Sequence, residues 1–319
     1  VDDLDTAVDG GAGTDTIVVA ANTTFGILAA DGTTEQLENV EAASLASGVT
    51  LTVDFTDVLG ASDIVTVTGV NDAATETFVV TGAAIGGSAI LDFGGGAIDL
   101  TNVVLNYQGG AGTDFVIGAE LTADILSGGL GNDTLYVALN GGEDTLTGGE
   151  GLDVFVVTAA DSTRDIVVIT DYEVGGATGA VDTIDVIDTN VATLSGIVTA
   201  DTRTDLAPGA IVTREDGVTI ESFEVSATGL VTLYDSNLAV GTIDEVYAES
   251  DADIYAIMEA LTLLSGGATT YTFEYDFNQD GTADGQIVVS DSGPVTNIVQ
   301  LVGVTGAEID AVAGGIIVG

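Results

Sequence analysis

Gly109-Gly110-Ala111-Gly112-Thr113-Asp114-Phe115-Val116-Ile117, Gly128-Gly129-Leu130-Gly131-Asn132-Asp133-Thr134-Leu135-Tyr136 and Gly148-Gly149-Glu150-Gly151-Leu152-Asp153-Val154-Phe155-Val156 are three copies of one nonapeptide, Gly-Gly-x-Gly-x-Asp-x-apolar-x. In-phase remnants lie between them. Residues 119–127 keep Asp124 and the apolar Leu126 but lack the glycines, and Gly118 reads as an insertion. Gly141-Gly142-Glu143-Asp144-Thr145-Leu146-Thr147 is a shortened unit. A fourth full match, Gly10-Gly11-Ala12-Gly13-Thr14-Asp15-Thr16-Ile17-Val18, stands alone near the N-terminus, where an ordinary turn before a strand is the competing explanation. A fixed period of this kind points to stacked repeats.

In each unit the first six positions are expected to turn and the last three to form a short strand. Glycines reach the φ > 0 conformations of tight turns and let carbonyls face inward, and the Asp sets a carboxylate beside them. The apolar position points into a thin core between two sheets. Stacked units then make a parallel β-roll with a cation held between turns on one edge, two repeats apart. That predicts one Ca²⁺ between turns 109–114 and 128–133 and another between 128–133 and 148–153. Asp114, Asp133 and Asp153 are the expected side-chain ligands, with Gly110, Gly112, Gly129, Gly131, Gly149 and Gly151 marking the turns that present carbonyls. The opposite edge pairs 119–124 with 141–144, so Asp124 and Asp144 hold a weaker ion or none. A dinucleotide-binding reading of the glycines fails, because that fingerprint joins a strand to a helix and here strands follow.

Composition narrows the function classes. The 319 residues include 51 Asp and Glu, only three Arg (Arg164, Arg203, Arg214), and no Lys, His or Cys, for a net charge of −48. Three arginines cannot make the basic surface that nucleic acid requires. Thiol chemistry, Cys/His zinc sites, a Ser-His-Asp triad and Schiff-base catalysis all lack their residues. Yet 46% of residues are hydrophobic and mean hydropathy is +0.46, unlike a disordered acidic tail. No apolar run approaches the roughly 18 residues of a membrane span. Such a chain folds against its own repulsion with almost no internal counter-charge, so cations must come from solvent. Ca²⁺, which takes about six to eight oxygen ligands, is the natural candidate; a solvated halophilic surface accounts for composition alone equally well.

The rest of the chain is written in the strand alphabet, as in Thr16–Val19, Thr50–Phe55 and Ile64–Thr68, with Gly, Asn and Asp punctuating every 8–12 residues and only two prolines. The expected class is all-β. One helix is expected near 251–264: Ser250 is its N-cap, Ile254, Ile257, Met258, Leu261 and Leu264 recur at helical spacing, and Gly266-Gly267 ends it. A second ion loop is expected at Asp276, Asn278, Asp280 and Asp284, with Gly281 at the sixth position, as in the front half of an EF-hand loop. Ile287 stands where the bidentate Glu belongs, and a hairpin turned at Asp280-Gly281 is the alternative. No basic region followed by an apolar one opens the chain at Val1, so a processed product or fragment is expected.

The repeats resemble those of the repeats-in-toxin proteins, which Gram-negative bacteria export by type I secretion. The resemblance continues through Asp153-Val154-Phe155-Val156-Val157, Asp161-Ser162, Asp165-Ile166, Ile169-Thr170-Asp171-Tyr172 and Asp182-Thr183-Ile184-Asp185, similar to the family's closing segment, with Tyr172 replacing a Phe. It covers about 107–190. The N-terminal third, including Asn39-Val40-Glu41-Ala42-Ala43-Ser44-Leu45, resembles β-solenoid segments of calcium-dependent bacterial surface-layer proteins, and the apolar end Ile316-Ile317-Val318-Gly319 is similar to their secretion tails. Three regions are therefore expected: 1–106, solenoid-like; 107–190, a calcium β-roll with its closing segment; and 191–319, β-rich with one helix. The resemblance implies an extracellular, calcium-binding structural protein that self-assembles at the cell surface. Its expected partners are other copies of itself bridged by calcium, the type I secretion machinery and a cell-surface polysaccharide. The alternative is the calcium-binding export region of a large secreted adhesin. An enzyme is not expected: the family's proteases use a His-rich zinc motif, and no pair of carboxylates stands out among 51.

Overall fold

The computed structural model describes residues 8–25, 37–54, 64, 66–82, 90–94, 98–120, 122–139, 142–159, 166–174, 182–187, 200–205, 212–213, 219–225, 231–235, 245–246, 270–275, 282–291, 296–305, 309–312 and 315–318. Among these every regular element is a β-strand and none is a helix, in line with the all-β expectation. The helix expected near 251–264 lies outside the described residues. The chain divides into two compact units, Val1–Asp165 and Ile166–Gly319.

The first unit is built from parallel strands. One sheet runs β3 (Thr23–Thr24), β6 (Thr50–Asp54), β8 (Thr77–Thr81), β11 (Val104–Gln108), β13 (Ile125–Leu130) and β15 (Thr145–Glu150), each parallel to its neighbour. A second runs β9 (Ile90–Asp92), β12 (Phe115–Ile117), β14 (Thr134–Leu139) and β16 (Val154–Ala159). A third runs β2 (Thr16–Val19), β5 (Ala42–Leu45), β7 (Thr66–Thr68) and β10 (Asp99–Thr101), and β1 (Val8–Asp9) pairs with β4 (Leu37–Glu38). From β11 to β16 the chain alternates between the first two sheets. Parallel neighbours cannot be joined by hairpins, so each circuit must leave one sheet before it returns.

Period-two patterning decides which side chains go inward. In Thr77-Phe78-Val79-Val80-Thr81 the alternate residues Phe78 and Val80 are buried and the others half-buried. Register stacks these positions. Val53, Val80, Tyr107, Leu126 and Leu146 form one fully buried column. Leu91, Val116, Leu135 and Phe155 form a second on the next sheet.

The nonapeptide divides differently from expectation. In the units opening at Gly128 and Gly148 the Gly-Gly-x stretch still belongs to the strand, β13 ending at Leu130 and β15 at Glu150. Register holds across it, Gly129 opposite Gly149 and Leu130 opposite Glu150, and the Leu130 N–H donates to the Gly110 carbonyl at 2.8 Å. Backbone pairing thus persists through the glycines and leaves only residues 131–133 and 151–153 to turn.

The second unit includes the antiparallel strands β24 (Thr270–Tyr275), β25 (Gly285–Asp291) and β26 (Thr296–Val302), with β17 (Ile166–Ile169) parallel to β26. β18 (Thr183–Ile187) and β27 (Ile309–Val312) flank β28 (Gly315–Val318), both antiparallel to it. β19 (Ala200–Asp205), β21 (Thr219–Val225), β22 (Val231–Asp235) and β23 (Glu245–Val246) form a further antiparallel sheet, and β20 (Val212–Thr213) pairs with β21. Between β17 and β18 the Tyr172 hydroxyl donates to the Asp182 carbonyl at 2.7 Å, and the Glu173 N–H donates to Asp182 Oδ2 at 2.8 Å.

Gly131 tests the tight turn. Its φ is +131°, and a β-carbon there would run into the Gly112 carbonyl of the preceding turn. Gly131→Ala is expected to lower stability by about 1–3 kcal/mol, the usual scale of such backbone strain, read as a lower urea midpoint. An unchanged midpoint would show that the turn does not depend on this conformation.

Candidate metal centre

Each acid of the repeats stands immediately before a strand: Asp114 before β12, Asp124 before β13, Asp133 before β14, Asp144 before β15 and Asp153 before β16. Register gathers them into two columns. Asp114, Asp133 and Asp153 line up beside one sheet, Asp124 and Asp144 beside the other. All five are at most 2% exposed.

Their carboxylates bind backbone, turn to turn. Asp133 Oδ1 accepts the Asp114 N–H at 2.7 Å, and Asp153 Oδ1 accepts the Asp133 N–H at 2.8 Å. In the other column Asp144 Oδ1 accepts the Asp124 N–H at 2.8 Å. Asp124 accepts from Ala119 N at 2.5 Å, Thr122 Oγ1 at 3.0 Å and, more weakly, Leu105 N at 3.4 Å. The backbone carbonyls of Asp114, Asp124 and Asp133 each accept a strand amide of the next turn at 2.8 Å. The acid is therefore clamped through both main chain and side chain. Asp114 has a further donor, the buried Tyr107 hydroxyl, 2.9 Å from its Oδ2.

The glycines divide their roles. The second and third glycines stack: β-carbons on Gly129, Gly131, Gly149 and Gly151 would strike the carbonyls of Gly110, Gly112, Gly129 and Gly131 respectively. Those carbonyls thus face the next turn, where inward-facing carbonyls were expected. The first glycine of each unit, which carried no expected role, makes room for the acid, and at Gly109 it also stacks against the Gly128 carbonyl. A β-carbon on Gly128 would meet Asp133 Oδ2, one on Gly148 would meet Asp153 Oδ2, and one on Gly109 would lie 2.8 Å from Asp114 Oδ2. Gly118 does the same for Asp124 at 2.8 Å, so the apparent insertion is a working part of the turn.

Two acids outside the dense repeats join the pattern and were missed from sequence. Glu41 precedes β5, and its Oε2 accepts the Asp15 N–H at 2.8 Å. Glu76 precedes β8, and its Oε1 accepts the Gly48 N–H at 2.8 Å. Their visible signal is an acid placed directly before a strand, Glu41-Ala42 and Glu76-Thr77. Of the expected EF-hand-like loop, Asp276, Asn278 and Asp280 lie outside the described residues. Asp284 is half-buried, its N–H donating to the Tyr275 carbonyl at 2.8 Å, between the antiparallel β24 and β25.

Burial opposes charge at two of these acids. It raises the Asp124 carboxyl to about 7 against the hydrogen bonds that lower it. It also raises Asp133, with the neighbouring Asp114 charge adding to it and the Asp114 N–H opposing it. Asp133 Oδ2 is buried and takes no hydrogen bond, and Asp15 Oδ2 is in the same position. A carboxylate oxygen left so can take a proton or a hard cation. Among the described residues no three acidic, His or Cys side chains converge, so an ion here would need neutral oxygens beside one or two carboxylates.

The metal-free protein should lose stability as pH rises from about 4 to about 7. With its carboxyl raised from 3.8 to about 7, Asp124 holds its proton in the folded chain and has lost it in the unfolded one across that window, so folding there binds protons. In chelator the β circular-dichroism signal should therefore be recovered in part as pH falls from 7.5 to 5, and Asp124→Asn should flatten that dependence. A signal that grows with rising pH over this range would contradict it.

No family model matches the chain, and no curated protein or solved structure matches it at a significant level.

Proposed function

We propose that the stacked parallel strands are a calcium-loaded β-roll and that the chain is an extracellular structural protein, folding on calcium after export and self-associating at a bacterial surface. The observation that supports this most is Asp133: a fully buried carboxylate with one oxygen lacking any hydrogen bond, in a chain with no cationic side chain before Arg164. Uncompensated buried charge is costly, and a hard divalent ion satisfies both the charge and the open oxygen. Asp114 and Asp153 flank it in the same column, and Asp124 and Asp144 supply the second edge. The glycine turns offer neutral oxygens, but their carbonyls are turned along the stack, so calcium entry shifts these turns.

Linkage gives the mechanism. Where free calcium is scarce, the acids repel and the unfolded chain is favoured, which suits passage through an exporter. Outside, an ion that binds only the folded form stabilises it by about 2.7 kcal/mol per site at one hundred times its Kd. Several such sites match the stability of a whole domain. Copies carrying −48 repel one another unless cations lie between them, so calcium also favours assembly. The second reading, the export region of a larger adhesin, shares this chemistry and differs only in what the chain is attached to.

Exhaustive EGTA treatment should abolish the β circular-dichroism signal of the repeat region, and restored calcium should return it; a spectrum indifferent to chelation would count against the reading. Asp133→Ala should weaken calcium affinity more than Asp114→Ala, because Asp133 sits between two turns of its column. Coincident isotherms for the two would refute shared ligation. Electron microscopy with and without calcium should show ordered sheets or filaments only in its presence, whereas dispersed particles in both would favour the adhesin.

A further inference from the structure

Tyr107 interrupts an apolar column. In the register of the first sheet Val80, Tyr107, Leu126 and Leu146 stand side by side, all fully buried. Tyr107, Leu126 and Leu146 each lie seven residues before a repeat acid, Asp114, Asp133 and Asp153 in turn. The three circuits place one carboxylate oxygen alike: Oδ2 of each acid lies against the first glycine of its unit, Gly109, Gly128 or Gly148. What reaches that oxygen differs. At Asp114 the Tyr107 hydroxyl donates to Oδ2 at 2.9 Å. At Asp133 the equivalent side chain is Leu126, which has no donor, and Oδ2 is buried without a hydrogen bond. An uncompensated buried carboxylate is costly, so the two turns meet the same demand in different ways.

We propose that Tyr107 stands in for the cation at the first turn of this column and so sets where calcium binding begins: its hydroxyl holds Asp114 Oδ2, and the ion sites start at Asp133. This rests on the reading of the repeats as calcium-binding and adds which of their acids the ions reach. A hydrogen bond from a hydroxyl favours the charged carboxylate, so the Asp114 turn needs no ion of its own. Leucine at the next circuit withholds that donor and leaves Asp133 Oδ2 to an ion. One side-chain hydroxyl thus separates a turn closed by the protein from a turn closed by the solvent's cations.

Equilibrium dialysis of the whole chain against radiolabelled Ca²⁺ tests this, with Tyr107→Phe as the central variant. It removes only the hydroxyl, and the leucines at the equivalent positions show that the column accepts an apolar side chain. At saturating calcium Tyr107→Phe should bind one ion more than the parent, and the free calcium that half-restores its β circular-dichroism signal should shift upward. Adding Asp114→Asn to Tyr107→Phe should remove the extra ion. In the parent background Asp114→Asn should leave the ion count unchanged while Asp133→Asn loses at least one, and this pair decides the matter if Tyr107→Phe folds poorly. A parental ion count in folded Tyr107→Phe would overturn the proposal, because a hydroxyl that serves packing alone changes stability and not stoichiometry. Equal losses in Asp114→Asn and Asp133→Asn would overturn it as well. A parent that binds no calcium would overturn the calcium reading itself, and this proposal with it.

Discussion

One contact organises the first unit: a carboxylate at the foot of a strand accepts the backbone N–H of the preceding turn. Such bonds are charge-assisted and stronger than neutral ones. They also satisfy amides that the turns would otherwise leave buried and unpaired. The same geometry draws the carboxylates out of water, which disfavours their charge. At Asp124 and Asp133 desolvation outweighs the hydrogen bonds, and both carboxyls are raised. A chain with 51 acids and three arginines cannot resolve this conflict internally. Protons or solvent cations would resolve it, and in the proposed function the ladder that aligns the turns is also what would couple the fold to the composition of its surroundings.

Much of this was legible before any coordinates. Strand content followed from Thr/Val alternation, and the shared phase of Asp114, Asp133 and Asp153 anticipated their common column, since residues 19 and 20 apart return to the same place. The in-phase remnant correctly set Asp124 beside Asp144. What was not legible depends on contacts between turns. The glycine doublets looked like turn because glycine is permissive, yet inter-strand pairing carries β13 and β15 through them. The first glycine of each unit gave no sign that it clears space for an acid five residues on. Glu41 and Glu76 were hidden among 51 acids, since burial and a backbone partner, rather than residue type, set them apart.

The choice of acid follows the size of the circuit. Where the carboxylate-to-amide step spans 19 or 20 residues the acid is Asp. Where it spans 26 or 28 the acid is Glu, from Glu41 to Asp15 and from Glu76 to Gly48. A tight turn stacks its backbone directly on the next, as the glycine–carbonyl contacts at Gly129, Gly131, Gly149 and Gly151 require, and a short side chain then reaches the amide. In the longer circuits Gly10 stands as close to the Asn39 carbonyl and Gly69 to the Asn102 carbonyl, so the change from Asp to Glu accompanies the longer circuit without looser backbone stacking.

Glycine placement shows that the nonapeptide is the most compact form of a broader device. Gly10 stands against Asp15, Gly69 against Glu76, Gly109 against Asp114, Gly118 against Asp124, Gly128 against Asp133 and Gly148 against Asp153, each so close that a β-carbon would crowd the acid. Only some of these pairs sit in a full Gly-Gly-x-Gly-x-Asp unit, and the separation within them varies. The common requirement is therefore a gap in the chain's own surface, opened by a missing β-carbon, into which a strand-preceding carboxylate folds to reach the turn before it. The second and third glycines answer a further demand, the close stacking of one circuit on the next, which Gly10 against the Asn39 carbonyl and Gly69 against the Asn102 carbonyl meet as well where the circuits lengthen. The pairing, more than the repeat, is what makes a buried carboxylate possible here.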